Sequence, residues 1–521
     1  MKRDFLNYVK PIFLVALVSM VAVSCTDLEI EESDSVIIED TEEGFGGVAD
    51  VEASLQDLYN SVWGQFGTQE NLYALNEVAS DEQLVPTRGT DWGDNGIWRQ
   101  LHAHTWSPTH QFILNTWNDY NQNAFRASQI IDDRSGPSAQ QKAEAQYLRA
   151  LSMYWVLDFW GITPFREVDE GADVDPRVLS SEEAYAFILQ DLTEAVANLP
   201  SGGPSADNDR ATKEAAQYLL AKLRLNANRY KGSESFDNAD MQAVIDNVDA
   251  ITAAGYALQD GYFDIFTSDV DNETIWFANS SVGARIWNGL HYNQVSPDNG
   301  GGGWNGFSTL AEFYDSFEGA PNTNAAGDSP DERRGFVPGP SDAGPDNLGI
   351  GYGFLIGQQY DEDGNKLKDR SGNDLVFTKE FPGLSGNTEE TGVRIIKYHP
   401  VNGAFANHIV VFRYADAHLM KAEAMLRMGN AGEALAMVNE LRALRGASAL
   451  GSLDEAELLA ERGRELYTEL WRRNDLLRFG QFTKDWVYKN ADAVNADFRE
   501  LYPIPINALL SNPNLVQNEG Y

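Results

Sequence analysis

Apolar residues recur at spacings of three and four along two long regions of the chain, and this period predicts amphipathic α-helices. The first region runs from about 48 to 260, and the second begins at 413. In the first region the period predicts helices over 112–133, 140–161, 181–200, 212–230 and 238–255. Gly161 stands where the second of these should end. Near the C-terminus, Ser452 and Glu455 have capping-box spacing, which predicts that a further helix opens there.

The segment 413–446 has the length and pattern of a helix hairpin. Small residues such as Ala422 lie where the two helices must approach, and Gly429 begins the turn. The hairpin is about 34 residues long, which resembles a tetratricopeptide repeat. The pairs 140–199 and 212–255 show the same organisation more weakly. Because one pair cannot bury its apolar face alone, we expect several pairs to stack side by side.

Between the helical regions, residues 256–412 are rich in Gly, Pro, Asn and Asp. Short strand-like runs occur at 273–278 and 394–400, and 360–378 is typical of hairpin turns. A stretch this long is not an empty linker, so we expect an elaborate loop region lying on the helical scaffold. Binding sites commonly occur on loops held by a rigid scaffold.

The net charge of the chain excludes one class of binding partner. The 521 residues carry a formal net charge of −40, from 79 acidic and 39 basic residues. Such a surface repels phosphate backbones, so we expect no nucleic-acid partner. The hydrophobic fraction of 43% is that of an ordinary globular protein with a substantial core.

The N-terminus resembles a lipoprotein signal. A basic start precedes an apolar run at 11–23 that is too short to cross a bilayer, and small residues lead to Cys25. Cys25 is the only cysteine, so no intrachain disulfide can form. We expect a signal peptide at 1–24, acylation of the Cys25 thiol, and an acidic extended tether over 25–45. An ordinary signal peptide with an incidental cysteine is the alternative.

Two polar, glycine-rich stretches, 86–98 and 282–307, carry several tryptophans. Flat aromatic rings pack against the C–H faces of sugars, and Asn, Asp and Arg side chains satisfy sugar hydroxyls. The glycines at 300–303 would free the backbone to present the ring that follows them. The candidate glycan-binding residues are Trp304, Trp287, Trp92, Trp98, Tyr292, Arg88 and Asn305. The alternative is that some of these rings fold back into the core.

No motif singles out catalytic residues. Gly-x-Ser-x-Gly and Walker sequences are missing, and among 79 acidic residues a pair at glycosidase separation proves nothing. His102 and His104 would share one face of a strand, which could suit a metal, but no third ligand lies nearby in sequence and packing is favoured. The segment 361–366 fails as a calcium loop, so a hairpin turn is favoured there. We therefore predict neither catalysis nor a cofactor or metal.

Several longer blocks, together with the signal ending at Cys25, resemble the SusD/RagB family over essentially the whole chain. The blocks are "NEVASDE" (76–82), "HTWSP" (104–108), 143–165, 413–446, 464–483 and 502–521. The resemblance implies a mostly α fold, a right-handed superhelix of tetratricopeptide-like helix pairs with a loop-rich second region carrying short strands. Its regions would be 46–260, 261–412 and 413–521, with the glycan site in the middle one.

Two features of these blocks concern the scaffold. Leu470 stands where the family often has glycine. The cluster of Arg472, Arg473, Asp475 and Arg478 is interpreted as a scaffold ion network rather than a site. Neither feature changes which residues could touch a ligand.

The resemblance also implies a role. Members of the family are surface lipoproteins that capture nutrients, usually polysaccharides, for a TonB-dependent outer-membrane transporter of the SusC type. We therefore expect a non-catalytic protein, lipid-anchored on the cell surface of the outer membrane, that binds a neutral glucan, starch-like or β-glucan, and acts as a lid on the transporter. By local similarity Trp304 is the best match to the family's aromatic arc, Trp287 is next, and the choice between Trp92 and Trp98 stays open. The alternatives are a peptide- or other-nutrient-binding lid of the same family and, less favoured, a surface glycosidase.

Overall fold

The computed structural model describes residues 38–41, 44–171, 173–296, 299–401 and 406–521, which belong to one compact unit. Within them helices predominate, and we label these α1 to α16 in chain order. The helices are Val51–Gly67, Asn71–Glu77, Ile97–His102, Gln111–Ile131, Ala139–Trp160, Ser181–Asn198, Lys213–Leu225, Ala227–Tyr230, Asn238–Ala253, Gly283–Gly289, Ala311–Asp315, Tyr414–Arg427, Ala431–Leu444, Glu455–Leu466, Arg472–Arg478 and Ile506–Ser511.

The strands are short, and we label them β1 to β15 in the same way. They are Ile38–Thr41, Gly44–Val48, Gln83–Leu84, Thr163–Phe165, Arg177–Leu179, Thr274–Ala278, Val295–Ser296, Gly301–Gly302, Ser308–Thr309, Gly335–Phe336, Tyr352–Leu355, Gly357–Gln358, Val376–Phe377, Arg394–Ile396 and Ile409–Arg413. They form small antiparallel sheets, and the widest among the described strands is β10-β11-β14.

The long helices stack side by side in an order that skips the middle of the chain. α4 packs on α5, α5 on α6, α6 on α7 and α7 on α9, and α9 then packs on α12, which pairs with α13. The predicted helix pairs are confirmed as α5–α6, α7–α9 and α12–α13. Because α5 lies between two neighbours, every side chain from Ala143 to Trp160 is buried.

The ends of α5 follow from its sequence. Ser138 accepts a hydrogen bond from the Gln141 backbone N–H, and the Gln141 side chain accepts one from the Ser138 N–H, which completes a capping box. Gly161 ends the helix with a φ of 70°, and a Cβ there would lie 2.9 Å from Leu501 Cδ1. The prediction that Gly161 ends this helix is confirmed.

A strand pair closes the base of the loop-rich region in the middle of the chain. β6, near the start of the region, pairs antiparallel with β15, near its end. β3 pairs with β9, with Gln83 opposite Thr309, and so ties the region to the N-terminal helices. The strand-like runs at 273–278 and 394–400 are confirmed as β6 and β14, and 360–378 forms the predicted hairpin turns.

Two boundaries differ from the sequence prediction. The capping box expected at Ser452 is wrong, because Asp454 caps α14 by accepting the Glu457 N–H at 2.9 Å. The predicted tether over 25–45 overlaps the folded body, since β1 pairs with β2. The signal peptide and Cys25 lie outside the described residues. No helix in the described part of the chain is both long and apolar enough to span a membrane.

Buried ion pairs join the C-terminal helices to the stack. Arg473 pairs with Asp158 of α5 at 2.8 Å, and Arg478 pairs with Glu423 of α12 at 2.7 Å. Asp475 pairs with Arg478 at 2.6 Å. The scaffold network predicted from the sequence is confirmed for these C-terminal residues. Removing one partner would leave a buried charge unpaired, so the pairs hold the helices in one arrangement.

Candidate functional site

The two aromatic stretches identified in the sequence meet on one surface. The Trp92 indole N–H donates to the Trp304 carbonyl at 2.8 Å, across 212 residues of chain. The Tyr292 hydroxyl donates to Asp91 Oδ2 at 2.7 Å. Side chains from two separate parts of the sequence therefore form a single candidate site.

Trp287 and Trp304 lie next to each other on this surface. Their ring centroids are 5.5 Å apart, and the rings are tilted by 54°. The Trp304 N–H donates to the Trp287 carbonyl at 2.6 Å, so α10 and the chain before β9 hold the two rings together. Trp92, Trp287, Tyr292 and Trp304 are each half-buried. We call these four side chains the aromatic platform.

The backbone holds Trp92 in an uncommon conformation. Its φ is 60°, a left-handed value that is strained for a bulky side chain. The Thr87 hydroxyl donates to the Trp92 carbonyl at 3.2 Å, and the ring lies so close to Gly306 that a Cβ there would be 2.5 Å from it. These contacts fix the ring, and strain of this kind persists where the surrounding structure enforces it, often at binding surfaces.

Trp98 does not belong to the platform. The ring is 3% exposed and packs against Phe112 and Phe307, with centroids 4.9 and 5.4 Å away. Its indole N–H donates to Asp94 Oδ2 at 2.9 Å. The expectation of an exposed ring is wrong for Trp98, because α3 begins one residue earlier and turns the side chain into the core. In the first loop, Trp92 is the tryptophan that reaches the surface.

Arg88 and Asn305 lie beneath the platform. They are 2% and 0% exposed, so the expectation that they offer polar groups at the surface is wrong. Arg88 Nε donates to the Asn305 carbonyl at 2.9 Å, and Nη1 donates to the Thr388 carbonyl at 2.9 Å. The Asn305 side chain donates to the Glu389 carbonyl at 3.1 Å. Burial lowers the pKa of the Arg88 guanidinium to about 9. Both residues therefore position the neighbouring chain.

Arg370 is a site residue that the sequence analysis missed. Its guanidinium lies 3.9 Å from the Tyr292 ring centroid, and Nη2 pairs with Asp91 Oδ2 at 2.7 Å. It also pairs with Glu389, while its own side chain is 49% exposed. Hydrogen bonds from Tyr292 and Arg370 hold the pKa of Asp91 below its usual range. Little in the sequence points to Arg370, because it lies in a polar hairpin turn like many others on protein surfaces.

The platform offers flat apolar faces beside hydrogen-bonding groups. Arg370 covers one face of Tyr292, so the tryptophans supply the larger part of the aromatic surface. At the rim, Asp91 and Glu389 supply acceptor oxygens and Arg370 supplies N–H donors. Because both carboxylates already pair with Arg370, the rim is ordered before any ligand arrives. The arrangement suits a ligand that has both apolar faces and hydroxyl groups.

The histidines considered as metal ligands serve packing. His102 ends α3, so the prediction that it lies on a strand is wrong, and its ring nitrogens lie 3.2 and 2.9 Å from the carbonyls of Gln83 and Val487. His104 Nε2 lies 2.9 Å from the Ala79 carbonyl. In the described ranges, no three or more His, Cys, Asp or Glu side chains are grouped so that they could hold a metal ion.

Comparisons with known families define the class of protein. Residues 272–521 match the model of the SusD family, and residues 46–218 match a model described as Susd and RagB outer membrane lipoprotein. The chain belongs to the SusD/RagB family. The resemblance carried by the sequence blocks is confirmed, and so is the mostly α fold class.

Alignments with related proteins cover nearly the whole chain. The starch-binding protein SusD of Bacteroides thetaiotaomicron is 28% identical, over 99% of this chain and 99% of its own. A laminarin binding SusD-like protein of known structure is 22% identical, with a TM-score of 0.64 over 90% of this chain and 99% of its own. Surface glycan-binding protein A from Bacteroides thetaiotaomicron, in complex with laminarihexaose, is 18% identical, with a TM-score of 0.62 over 90% of this chain and 98% of its own. At these identities the two solved structures show a common fold.

Proposed function

We propose that the chain is a non-catalytic glycan-binding lipoprotein that captures a neutral glucan, either starch-like or a β-glucan. The observation that carries this proposal is the meeting of Trp92, Trp287 and Trp304 in one half-buried surface, although they come from two distant segments. The names of the relatives support it, because starch and laminarin are both neutral glucans. Stacking of a nucleobase on such a ring contributes about 1–3 kcal/mol, which sets the scale for a sugar.

Charge around the platform supports a neutral ligand. Asp91 and Glu389 both pair with Arg370, so this cation is not free to attract an anionic polymer. The formal net charge of −40 adds a general repulsion of polysaccharides that carry carboxylate or sulfate groups. A neutral sugar meets no such repulsion, and its hydroxyls can still bond to the same rim groups.

In the same proposal, lipid on Cys25 anchors the protein to the outer membrane with its folded body facing outward. The protein then delivers the captured oligosaccharide to a SusC-like TonB-dependent transporter. The family description as an outer membrane lipoprotein supports this location. Binding through several modest stacking contacts suits delivery, because such a ligand dissociates readily.

Retention on immobilised polysaccharides tests the proposal. The full chain is purified in a detergent without a sugar headgroup and passed over neutral and anionic polysaccharides, while release of reducing sugar is measured in parallel. We expect retention by a neutral glucan with no released product. Replacing Trp287 and Trp304 together by alanine should strongly weaken retention. The matched control Phe336→Ala removes an exposed ring elsewhere and should leave retention unchanged.

Other outcomes point to the alternative functions. Undiminished retention by the double variant would contradict the platform as the binding site. Release of product would support a surface glycosidase, and binding of peptides with no glycan retention would support a peptide-binding lid.

A further inference from the structure

A second cleft with aromatic and charged walls lies away from the aromatic platform. It has a volume of about 680 Å³, and its walls include Asp81, Glu312, Arg472, Asp485, Trp486 and Tyr488. None of the platform side chains lines it. The volume is within the range of about 300–1,000 Å³ that is typical of small-molecule sites.

The strand pair β3–β9 connects the cleft to the platform. In this antiparallel pair Gln83 lies opposite Thr309, so the chain before β3 and the chain after β9 emerge at the same end. Asp81 precedes β3 and Leu310 follows β9, and both line the cleft. The platform residue Trp304 lies at the other end, before β9. The two surfaces therefore occupy opposite ends of one short ribbon.

The aromatic side chains of the cleft are held in place by their neighbours. Trp486 and Tyr488 are half-buried. The Lys489 ammonium lies 3.1 Å from the Trp486 ring centroid, and the Tyr488 hydroxyl donates to the Phe381 carbonyl at 2.5 Å. Tyr488 also has a φ of 67°, a strained value for an aromatic residue. The cleft thus presents ordered rings, as the platform does.

The polar groups of the cleft suit hydroxyls better than charges. Arg472 pairs with Asp81 through two hydrogen bonds of 2.7 and 2.8 Å, and its Nη1 donates to the Leu459 carbonyl at 3.1 Å. A guanidinium has five N–H donors, so donors remain after these three bonds, and the Asp81 side chain is 28% exposed. Glu312 and Asp485 add exposed carboxylates that would repel an anion.

Lys489 does not make the cleft attractive to anions either. Its ammonium donates to the carbonyls of Phe482 at 2.6 Å and Lys484 at 2.7 Å, besides lying on the Trp486 ring. Its hydrogen-bonding capacity is thus largely used within the protein.

We propose that this cleft is a second binding site for a neutral oligosaccharide, separate from the aromatic platform. The proposal rests on the proposed function, because it assigns to the cleft the same class of ligand. A protein with two such sites would hold a polysaccharide at two points along its length, which strengthens retention of a long chain without making either contact tight.

Equilibrium dialysis of the full chain, in a detergent without a sugar headgroup, counts the sites for laminarihexaose and for maltohexaose. We expect two sites per chain for at least one of these sugars. Trp486→Ala should weaken the cleft site by about tenfold or more, the effect of losing one stacked ring, and leave the platform site. The double variant Trp287→Ala with Trp304→Ala should leave only the cleft site.

Two further variants guard against misfolding as an explanation. Glu312→Gln with Asp485→Asn changes only exposed carboxylates and should weaken the cleft site by about twofold to tenfold. Lys484→Ala, on the same segment but outside the cleft, should change neither site.

A single site in the unaltered protein that the platform variant abolishes would overturn the second site and leave the proposed function standing. Absence of any binding would overturn both, and a single site lost only in Trp486→Ala would move the binding function from the platform to the cleft.

Discussion

At the scale of single residues, buried arginines support the platform from below. Arg88 donates to the Thr391 carbonyl at 2.5 Å and to the Ser308 hydroxyl at 2.8 Å, besides its bonds to the Asn305 and Thr388 carbonyls. Arg394 is also buried and donates to the same Ser308 hydroxyl at 2.9 Å. Burying a charged group is costly unless its donors are satisfied, so these carbonyls and this hydroxyl determine where both guanidinium groups can lie.

Replacing Arg88 by methionine should therefore destabilise the protein. Methionine fills a similar volume but donates no hydrogen bonds, so four acceptors each lose a bond. Ser308 and the Thr391 carbonyl keep a bond from Arg394, whereas the Asn305 and Thr388 carbonyls lose the bond that Arg88 gives them. We expect the free energy of unfolding to fall by about 2–4 kcal/mol. Urea denaturation measures this loss. The control Arg370→Met removes an exposed, ion-paired arginine and should cost less than about 1 kcal/mol. Equal losses in the two variants would refute the positioning role of Arg88.

A second buried pair at this scale consists of carboxyl groups. Glu77 and Glu82 are 0% and 1% exposed. Glu77 accepts the Leu470 N–H and Glu82 accepts the Thr468 N–H, each at 2.5 Å. Leu470 and Thr468 have φ values of 74° and 61°, so the two carboxyl groups hold a strained turn. The family glycine that Leu470 replaces is explained by this left-handed backbone.

The stability of the protein should fall as pH rises through neutrality. Burial raises the pKa of the Glu77 carboxyl to about 7, and burial and the Glu77 charge raise that of Glu82. An unfolded glutamate titrates near about 4.3, so between these values the folded state binds more protons. The stabilisation is thus complete below about pH 4 and is lost as pH rises through about 7.

Glu77→Gln tests this pH dependence. Between about pH 5 and 8 the unaltered protein should lose more unfolding free energy than the variant does, by roughly 2–4 kcal/mol. Urea denaturation at several pH values gives both curves. Glu519→Gln neutralises an exposed carboxylate and should follow the unaltered protein. Parallel curves for Glu77→Gln and the unaltered protein would show that Glu77 titrates normally.

At the scale of elements, the helices could be predicted because their signals are local. The apolar period and the capping residues are local to each helix, so the sequence predicts a helix over 140–161 where the structure has Ala139–Trp160. The site depends on contacts between distant segments. Trp98 is buried by Phe112 and Phe307, and no local feature distinguishes it from Trp92. Similarly, the local sequence does not show that Arg88 is buried, because the groups that accept its hydrogen bonds lie more than two hundred residues further along the chain.

Gly302, in the glycine run before Trp304, acts through close approach to a neighbouring backbone. A Cβ on Gly302 would overlap the Tyr292 carbonyl, whereas a Cβ on Gly301 would meet nothing within 4 Å. Gly302→Ala should therefore displace β8 or Tyr292, cost about 1–3 kcal/mol of stability, and weaken binding of laminarihexaose. Gly301→Ala is the matched control on the same strand. Dialysis and urea denaturation should separate the two variants, and equal behaviour would mean that the packing of β8 on Tyr292 does not shape the platform.

At the scale of the whole molecule, the helical stack serves as the base for a long loop-rich insertion. α9 and α12 are neighbours in the stack, although about 160 residues of chain lie between them. The β6–β15 pair brings the two ends of that insertion together. The β3–β9 pair lies between the platform and the second cleft. Aromatic surfaces thus rest on paired strands and helices, while the acidic residues that give the charge of −40 are spread over the chain.

This division between aromatic contacts and general acidity predicts how salt affects binding. Raising NaCl from about 0.05 to 0.5 M shortens the Debye length from roughly 14 to 4 Å, so it removes most long-range charge effects. Because stacking on a neutral glucan involves no net charge, its dissociation constant should change by less than about twofold. Alginate, an anionic polymer, should not be retained at low salt, since the acidic surface repels it.

Affinity measurements on the full chain across this salt range provide the test. The Trp287→Ala, Trp304→Ala double variant should bind the glucan weakly at every salt concentration. If glucan affinity instead fell tenfold with salt, charged contacts rather than ring stacking would hold the ligand, and the platform would have the wrong chemistry for its assigned role.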